Sequence, residues 1–278
     1  LLDNTDRNRT SPFAFTGIKF EFRAVGSTAN CANPMTILNT IVAKQLIDFK
    51  AEVDALIKKK DLKKDEAIFN VLREYIKKSK NILFEGNGYG EAWEKEAKKR
   101  KLSNNKTTPE ALKIKIADKS IQLFEETGVM SKVEAEARYE IEIEEYTMHI
   151  QIESRTLGDI AGNHIVPTAI KYQNSLIKNV KGLKEIFGKD YKKHAEEQLK
   201  LITKISEHIE GLHAKIDDML DERKKANKIE DIEKKAAAYC NKVKPYFDKI
   251  RYHCDKLELM VDDELWPLTK YREILFTR

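Results

Sequence analysis

Residues 199–219 read LKLITKISEHIEGLHAKIDDM, and this stretch decides the fold class of most of the chain. Its apolar residues recur every three or four positions, which places them on one stripe of an α-helix. They are Leu199, Ile202, Ile205, Ile209, Leu212, Ile216 and Met219. A second stripe of the same period runs from Ile229 to Val261, after a short polar turn at 225–227. The pattern predicts an antiparallel helical hairpin over about 190–262 with a coiled-coil-like seam. Ordinary packing of two long helices has the same spacing without dimerisation, and we prefer that interpretation.

The helical period extends towards the N-terminus through most of the chain. An apolar stripe from Ile37 to Ile57 follows Pro34, a residue that suits the first turn of a helix. A glycine-rich connection is predicted at 81–90. Helices are predicted over 34–58, 65–79, 91–101, 109–126, 132–157 and 159–187. The sequence therefore predicts a mostly α protein whose helical region covers residues 29–278.

The first 28 residues differ from this helical region and predict a short β segment. Residues 18–23 read IKFEFR, with a period of two. Lys19, Glu21 and Arg23 then share one face of a strand, while the apolar residues share the other. We expect the apolar face to pack on a core and the charged face to line a site or meet water.

Four cations surround one carboxylate in this segment. Arg7, Arg9, Lys19 and Arg23 lie within seventeen positions, and Glu21 stands between two of them. Guanidinium groups bind phosphate through paired hydrogen bonds, and a carboxylate binds Mg²⁺ or Mn²⁺ that also contacts phosphate. The group therefore suits a polyanion with a metal ion. A set of ion pairs on an exposed sheet face has the same composition, and on these residues alone we favour that structural interpretation.

Composition and charge argue against several function classes. The chain has 51 Lys and Arg against 46 Asp and Glu, and the two signs alternate along most of its length. This is typical of solvated helix faces and not of a nucleic-acid-binding surface. No run approaches the ~18 apolar residues of a membrane span, and the start lacks the pattern of a signal peptide. We therefore expect a cytoplasmic protein without nucleic-acid or membrane partners, whose three cysteines are reduced and mostly buried.

A dense motif occupies the first 36 residues. It reads NRTSPFAFTG at 8–17, KFEFRAVGS at 19–27 and ANCANPMT at 29–36. This motif closely resembles the late catalytic-domain motif of type III glutamine synthetases. The resemblance continues into the helical region at 138–140 and 165–174, so it covers nearly the whole chain.

The resemblance implies an ATP-dependent glutamate–ammonia ligase with Mg²⁺ or Mn²⁺ as cofactor. In that reaction glutamate is phosphorylated on its γ-carboxylate, and ammonia displaces phosphate from the γ-glutamyl phosphate. Residues 1–28 correspond in this view to the C-terminal edge of the catalytic barrel, with part of the ATP and glutamate site. The remaining residues correspond to the family's helical C-terminal region. The resemblance also implies a homo-oligomer, a dodecamer of two hexameric rings.

The same resemblance implies a role for each of four site residues. Glu21 matches the carboxylate that ligates an active-site divalent metal ion. Lys19 matches a cation that contacts the phosphates of ATP. Arg23 matches an arginine that contacts the glutamate substrate or the transferring phosphoryl group. Arg9 matches an arginine that neutralises charge on the γ-phosphoryl group, so catalytic roles fall on Arg9 and Arg23 and ATP binding on Arg9 and Lys19.

Two other functions remain open at this stage. In the family an N-terminal β-grasp domain and most of the barrel come before this motif, with the other metal ligands. We therefore expect the chain by itself to be inactive. The first alternative is a helical assembly or interaction module without catalysis, which leaves the motif unexplained. The second is a γ-glutamyl ligase that uses another amine, since amine choice depends on residues outside this chain.

Overall fold

The computed structural model describes residues 13–15, 19–22, 30–82 and 90–276, most of which are helical. The chain divides into two compact units, residues 1–138 and 139–278. The described elements are β1 (Phe13–Phe15), β2 (Phe20–Phe22), α1 (Ala32–Lys60), α2 (Lys64–Ser79), α3 (Glu91–Lys99), α4 (Thr108–Lys113), α5 (Asp118–Thr127), α6 (Lys132–Asp159), α7 (Val166–Phe187), α8 (Tyr191–His194), α9 (Glu196–Asn227), α10 (Ile232–Ala238), α11 (Pro245–Met260) and α12 (Tyr271–Leu275). Within the ranges above, none of the helices is both long and apolar enough to cross a membrane.

Strands β1 and β2 form a two-stranded antiparallel sheet in the first unit. Phe13 pairs with Phe22, Ala14 with Glu21, and Phe15 with Phe20. The two strands are three residues long each. This register places Glu21 at the centre of β2, paired with Ala14.

Helices α1 and α2 of the first unit pack through a small apolar cluster. Val53 of α1 is buried together with Ala67 and Val71 of α2. The rings of Phe49 and Tyr75 meet edge to face with centroids 5.8 Å apart, an arrangement that aromatic pairs prefer. The cluster therefore holds together the two helices that follow the strands along the chain.

The helix predicted at 109–126 is wrong in its middle. Helix α4 passes into a 3₁₀ turn at Ile114–Ile116, and α5 begins only at Asp118. The intervening Ala117 is extended, with ψ of 148°. The apolar period continues across this single residue, so it gave no sign of the break. Other boundaries of this region agree with local residue types: Gly128 ends α5 in the left-handed conformation, and Ser131 and Glu134 form a capping box.

Helices α6 and α7 are joined in the second unit by a π-helical segment at Ile160–Ile165. The sequence predicts a helix boundary at about 158, where the chain has a glycine. In the structure α6 ends at Asp159, one residue later, and a Cβ at Gly158 would lie 3.6 Å from the Met219 side chain, an ordinary van der Waals distance. The π segment lies just before Pro167, which lacks an N–H and clashes with the carbonyl four residues earlier. The widened turn lets the helix pass the proline.

A second π segment at Tyr239–Val243 lies between α10 and α11 and stands in the same relation to Pro245. Helices α9 and α11 supply eight of the eighteen buried residues in the core of the second unit. Among the residues with no exposed surface are Ile205 and Leu212 of α9 and Ile250 and Leu257 of α11. All seven residues of the apolar stripe predicted in the 199–219 stretch are buried or partly buried. The face that the sequence period predicts is therefore the face that packs.

Candidate functional site

Strand β2 places Lys19 and Glu21 on the same side of the chain. Their positions differ by two, so their side chains project to one face of the strand. Lys19 Nζ lies 3.6 Å from Glu21 Oε1, and the two side chains keep 66% and 39% of their surface exposed. The shared charged face is therefore present and open to solvent for these two residues.

The geometry of this pair suits binding of a charged ligand. A solvent-exposed ion pair is worth little in stability, at most about 1 kcal/mol. Little free energy is therefore lost if a ligand separates the two charges. A carboxylate offers the oxygen donors that Mg²⁺ and Mn²⁺ prefer, and an ammonium group offers up to three donors to phosphate oxygens. Both functions are available side by side.

Arg9 and Arg23 lie outside the described residues, as do most of the motif residues at 8–12 and 23–29. The structure therefore brings together two of the four predicted site residues. Within the described parts of the chain, no three His, Cys, Asp or Glu side chains are grouped to hold a metal ion. Glu21 fits a divalent ion in chemical type, but it supplies only one carboxylate.

The last part of the motif builds the start of α1. Asn30 Oδ1 accepts a hydrogen bond of 2.8 Å from the Ala32 N–H. The Thr36 hydroxyl donates 2.9 Å to the Ala32 carbonyl one turn earlier. The Asn30 bond satisfies one of the N–H groups that a helix start leaves unpaired, whereas the Thr36 bond adds a side-chain contact to a carbonyl within the first turn. This part of the motif therefore has a structural role at the junction between strand and helix.

Two histidines that lie between α9 and α11 were not identified as a pair from the sequence. The Nδ1 atoms of His208 and His253 lie 3.0 Å apart. The ring of Tyr252 lies beside both, with centroids 6.0 Å and 5.2 Å away. One sequence signal pointed to the place: Gly211 interrupts a long helix, and an isolated helical glycine often marks a close approach.

Burial controls the protonation of this pair. Both rings are partly buried. Burial lowers the pKa of each imidazole below the ordinary value of 6.5, because a charged ring loses hydration there. Lys256 lowers the pKa of His208 further, and His208 and Lys215 do the same for His253. Both histidines are therefore neutral at pH 7.

Comparison with known proteins gives a consistent result along the whole chain. Residues 67–184 match the family described as the glutamine synthetase C-terminal domain. A glutamine synthetase of Bacteroides fragilis (strain YCH46) is 49% identical over 279 aligned residues, which cover 100% of this chain and 38% of that protein. A type-3 glutamine synthetase of Dictyostelium discoideum is 36% identical, over 99% of this chain and 37% of its own length. A glutamine synthetase of Butyrivibrio fibrisolvens is 33% identical over similar shares, 99% and 38%.

This chain thus spans less than two fifths of the length of each of these relatives. The alignments leave out at most 1% of the chain, so they include both the strands and the helices. The chain belongs to the glutamine synthetase family and carries that family's C-terminal domain at residues 67–184.

Proposed function

We propose that this chain is the C-terminal part of a type III glutamine synthetase that makes glutamine from glutamate, ammonia and ATP by way of γ-glutamyl phosphate. The observation that carries the proposal is the 49% identity to the Bacteroides fragilis protein over the full chain. That alignment includes the strands and the motif at 8–36 as well as the helices. The proposal therefore rests on similarity in residues 8–36, which include the proposed site, and on similarity in the helical region.

Four residues carry the proposed site. Glu21 is one carboxylate ligand of Mg²⁺ or Mn²⁺, and Lys19 contacts the phosphates of ATP. Arg9 neutralises charge on the γ-phosphoryl group, and Arg23 contacts glutamate or the transferring phosphoryl group. The ion, when bound, supplies positive charge to the phosphates. The 3.6 Å separation of Lys19 and Glu21 supports this arrangement, because it keeps an ammonium group beside the proposed metal ligand.

Electrostatic stabilisation is the chemistry that such residues supply best. Phosphoryl transfer depends mainly on positioning the reactants and on neutralising charge around the phosphoryl oxygens. Lysine acts there as a point charge, whereas arginine offers a planar pair of donors. We propose that Lys19 holds the nucleotide and that the two arginines meet charge that develops during transfer.

By itself, the chain is proposed to lack synthetase activity. A divalent ion such as Mg²⁺ needs about six ligands, and waters and substrate phosphates provide only some of them. Glu21 is the single carboxylate of the proposed site in this chain. The rest of the ligand set belongs, in this proposal, to the part of the full-length protein that the chain does not span.

The helical region is proposed to serve assembly into a homo-oligomer, a dodecamer of two hexameric rings. Support comes from large apolar side chains left exposed on α1 and α2. Leu46 is 63% exposed, and Phe69 and Ile76 are 64% exposed each. Phe69, Leu72 and Ile76 recur at helical spacing on one face of α2, and apolar faces of this kind commonly mark contacts between proteins.

For the last third of the chain we propose an antiparallel hairpin over about 190–262. Contacts between its two halves support the opposite directions of the helices. The Tyr239 hydroxyl donates to Asn227 Oδ1 over 2.6 Å near the end of α9. His253 in α11 meets His208 towards the middle of α9.

Replacing Glu21 by glutamine in the full-length enzyme tests the proposed site. Glutamine keeps the size of the side chain and removes its charge, so the metal loses an anionic ligand. We expect glutamine formation to fall roughly 100-fold or more, with an unchanged melting temperature because Glu21 is solvent-exposed. The measurement is phosphate release at increasing Mg²⁺ or Mn²⁺.

Glu66→Gln is the matched control, since Glu66 is an exposed glutamate of α2 outside the proposed site. It should retain full activity and the same metal dependence. Normal turnover of the Glu21→Gln enzyme at saturating metal would remove Glu21 from the ligand set.

A further inference from the structure

We propose that His208 and His253 form a two-histidine site for a divalent transition-metal ion, with water completing the coordination shell. The site would link α9 to α11, far along the chain from Glu21 and independent of the proposed ligase chemistry. Imidazole nitrogen is a ligand that Ni²⁺, Cu²⁺ and Zn²⁺ share, whereas Mg²⁺ prefers oxygen. The site therefore differs in metal class from the one proposed on β2.

The distance between the two nitrogens fits a chelated ion. Metal–imidazole bonds are about 2.0–2.1 Å long. Two such nitrogens lie roughly 2.9 Å apart at a right angle and roughly 3.3 Å apart at a tetrahedral angle. The Nδ1 atoms of His208 and His253 are 3.0 Å apart, which is nearer to the right-angled geometry. Square-planar or octahedral ions such as Cu²⁺ and Ni²⁺ are therefore favoured over tetrahedral Zn²⁺.

The fold holds the two rings close together from opposite sides. Leu212 follows His208 by one turn on α9 and has no exposed surface, and Cys254 next to His253 is buried as well. Gly211 lets the His253 ring lie directly on the backbone of α9. A Cβ at that position would lie 2.8 Å from His253 Nε2, closer than side-chain carbons approach other atoms. The packing thus fixes the approach of the two helices while the rings keep a solvent-facing edge.

The protonation state of the pair also suits a metal. Burial keeps both imidazoles neutral at pH 7, so no proton has to be displaced from a charged ring. Without metal, one Nδ1 must carry a hydrogen and donate to the other, and neither ring has another hydrogen bond within the described part of the chain. On metal binding that hydrogen moves to Nε2, and both Nδ1 lone pairs turn to the ion. The metal ion thus takes the place of the hydrogen that lies between the two Nδ1 atoms in the metal-free protein.

The charged groups around the pair nearly balance. Glu207 precedes His208 on α9, and its charge favours a cation at His208. Lys256 of α11 and Lys215 of α9 oppose it. Lys215 Nζ is itself paired with Asp218 at 3.1 Å, which offsets its charge. The local charges therefore neither attract nor repel a cation strongly, and the two imidazole ligands determine which metal ion binds.

Calorimetric titration of the full chain, without a histidine tag, tests this site with Ni²⁺, Zn²⁺ and Mg²⁺. We expect one Ni²⁺ per chain, weaker Zn²⁺ binding and no Mg²⁺ binding at the pair. His208→Asn and His253→Asn should each weaken Ni²⁺ binding at least about tenfold, because the second ligand no longer acts intramolecularly. Asparagine retains a hydrogen-bonding group near the position of Nδ1, so these variants should stay folded.

His213→Gln is the control, because His213 is an exposed histidine of the same helix. It should bind Ni²⁺ as the unchanged protein does. Melting temperature followed against Ni²⁺ concentration gives a second readout, since an ion that binds only the folded state raises it. Absence of Ni²⁺ binding, or binding that survives both asparagine substitutions, would overturn the proposal.

Discussion

At the scale of single residues, the environment of each side chain decides its chemistry more than its type does. Cys254 is buried in α11, and burial raises the pKa of its thiol to about 11. Cys31, just before α1, is exposed, which contradicts its expected burial. A thiolate is the reactive form of cysteine, and burial suppresses it. Cys254 is therefore a core residue, while Cys31 is accessible to reagents.

The histidine pair predicts a dependence of stability on pH. The folded-state pKa values of His208 and His253 lie below 6.5, so the unfolded chain takes up protons first as pH falls. Stability is then lost as pH drops through about 6.5, and the loss ends below the folded pKa values. Urea unfolding from pH 8 to pH 5.5, in metal-free buffer, measures this effect.

Substitutions distinguish the contribution of the histidine pair to this pH dependence from that of other titrating groups. Glu207, Lys215 and Lys256 are the charged groups that act on the two rings, and the variants below leave all three in place. His208→Asn and His253→Asn should each flatten the curve near pH 6.5, whereas His213→Gln should leave it unchanged. A slope that persists in both asparagine variants would place its origin elsewhere.

The placement of Lys19 and Glu21 on one face could be predicted from the sequence, because the geometry of a strand depends only on neighbouring residues. A period of two puts Lys19 and Glu21 on one face whatever the rest of the fold does. The pairing of His208 with His253 depends instead on how two helices meet 45 residues apart along the chain. The helical period predicts which face of a helix packs, but it does not predict which residues of two helices meet. Only Gly211 hinted at that register.

At the scale of elements, two helical glycines predict opposite effects of the same substitution. A methyl group at Gly182 in α7 would meet nothing within 4 Å, whereas at Gly211 it would overlap the His253 ring. Gly182→Ala should stabilise the chain by about 0.5–1 kcal/mol through better helix propensity. Gly211→Ala should destabilise it by about 1–3 kcal/mol, because overpacking outweighs that gain. Urea unfolding of the two variants makes the comparison, and equal effects would contradict the close approach.

Helix boundaries show which signals can be trusted. The capping box of Ser131 and Glu134 and the end of α5 at Gly128 can be identified from the sequence, because side-chain chemistry acts within a few residues. The boundary predicted at about 158 lies one residue from the end of α6 at Asp159, but the chain continues there into a π segment and not into a turn. Period and composition cannot distinguish a glycine that ends a helix from one inside a continuous spiral.

At the scale of the whole molecule, buried surface is distributed unevenly between elements. Helix α9 has five buried residues among its 32, whereas α1 has two among 29. Long helices in proteins draw stability from packing more than from propensity. The outward faces of α1 and α2 therefore gain most from contact with further protein surface.

Mass photometry of the full-length protein tests the proposed assembly. We expect a mass twelve times that of one protomer, because the exposed apolar faces favour association. Phe69→Ser combined with Ile76→Ser should shift the distribution to smaller species without loss of helical circular dichroism. Lys78→Ser, a change at an exposed polar residue of α2, should leave the mass unchanged. A full-length protein that stays monomeric would contradict the proposal.

The two π segments set the rotational phase of the helices that follow them. One residue corresponds to about 100° around a helix axis, and a π turn holds roughly one residue more than an α turn. If all six residues of Ile160–Ile165 followed a regular α spiral, α7 would turn by about that angle. Val166 and Ala169, now 4% and 0% exposed, would then leave their positions against the core. Deleting one residue from the segment would instead let a regular helix form with α7 still in its present phase. The π segments before the prolines at 167 and 245 thus each take up one residue without rotating the helix that follows.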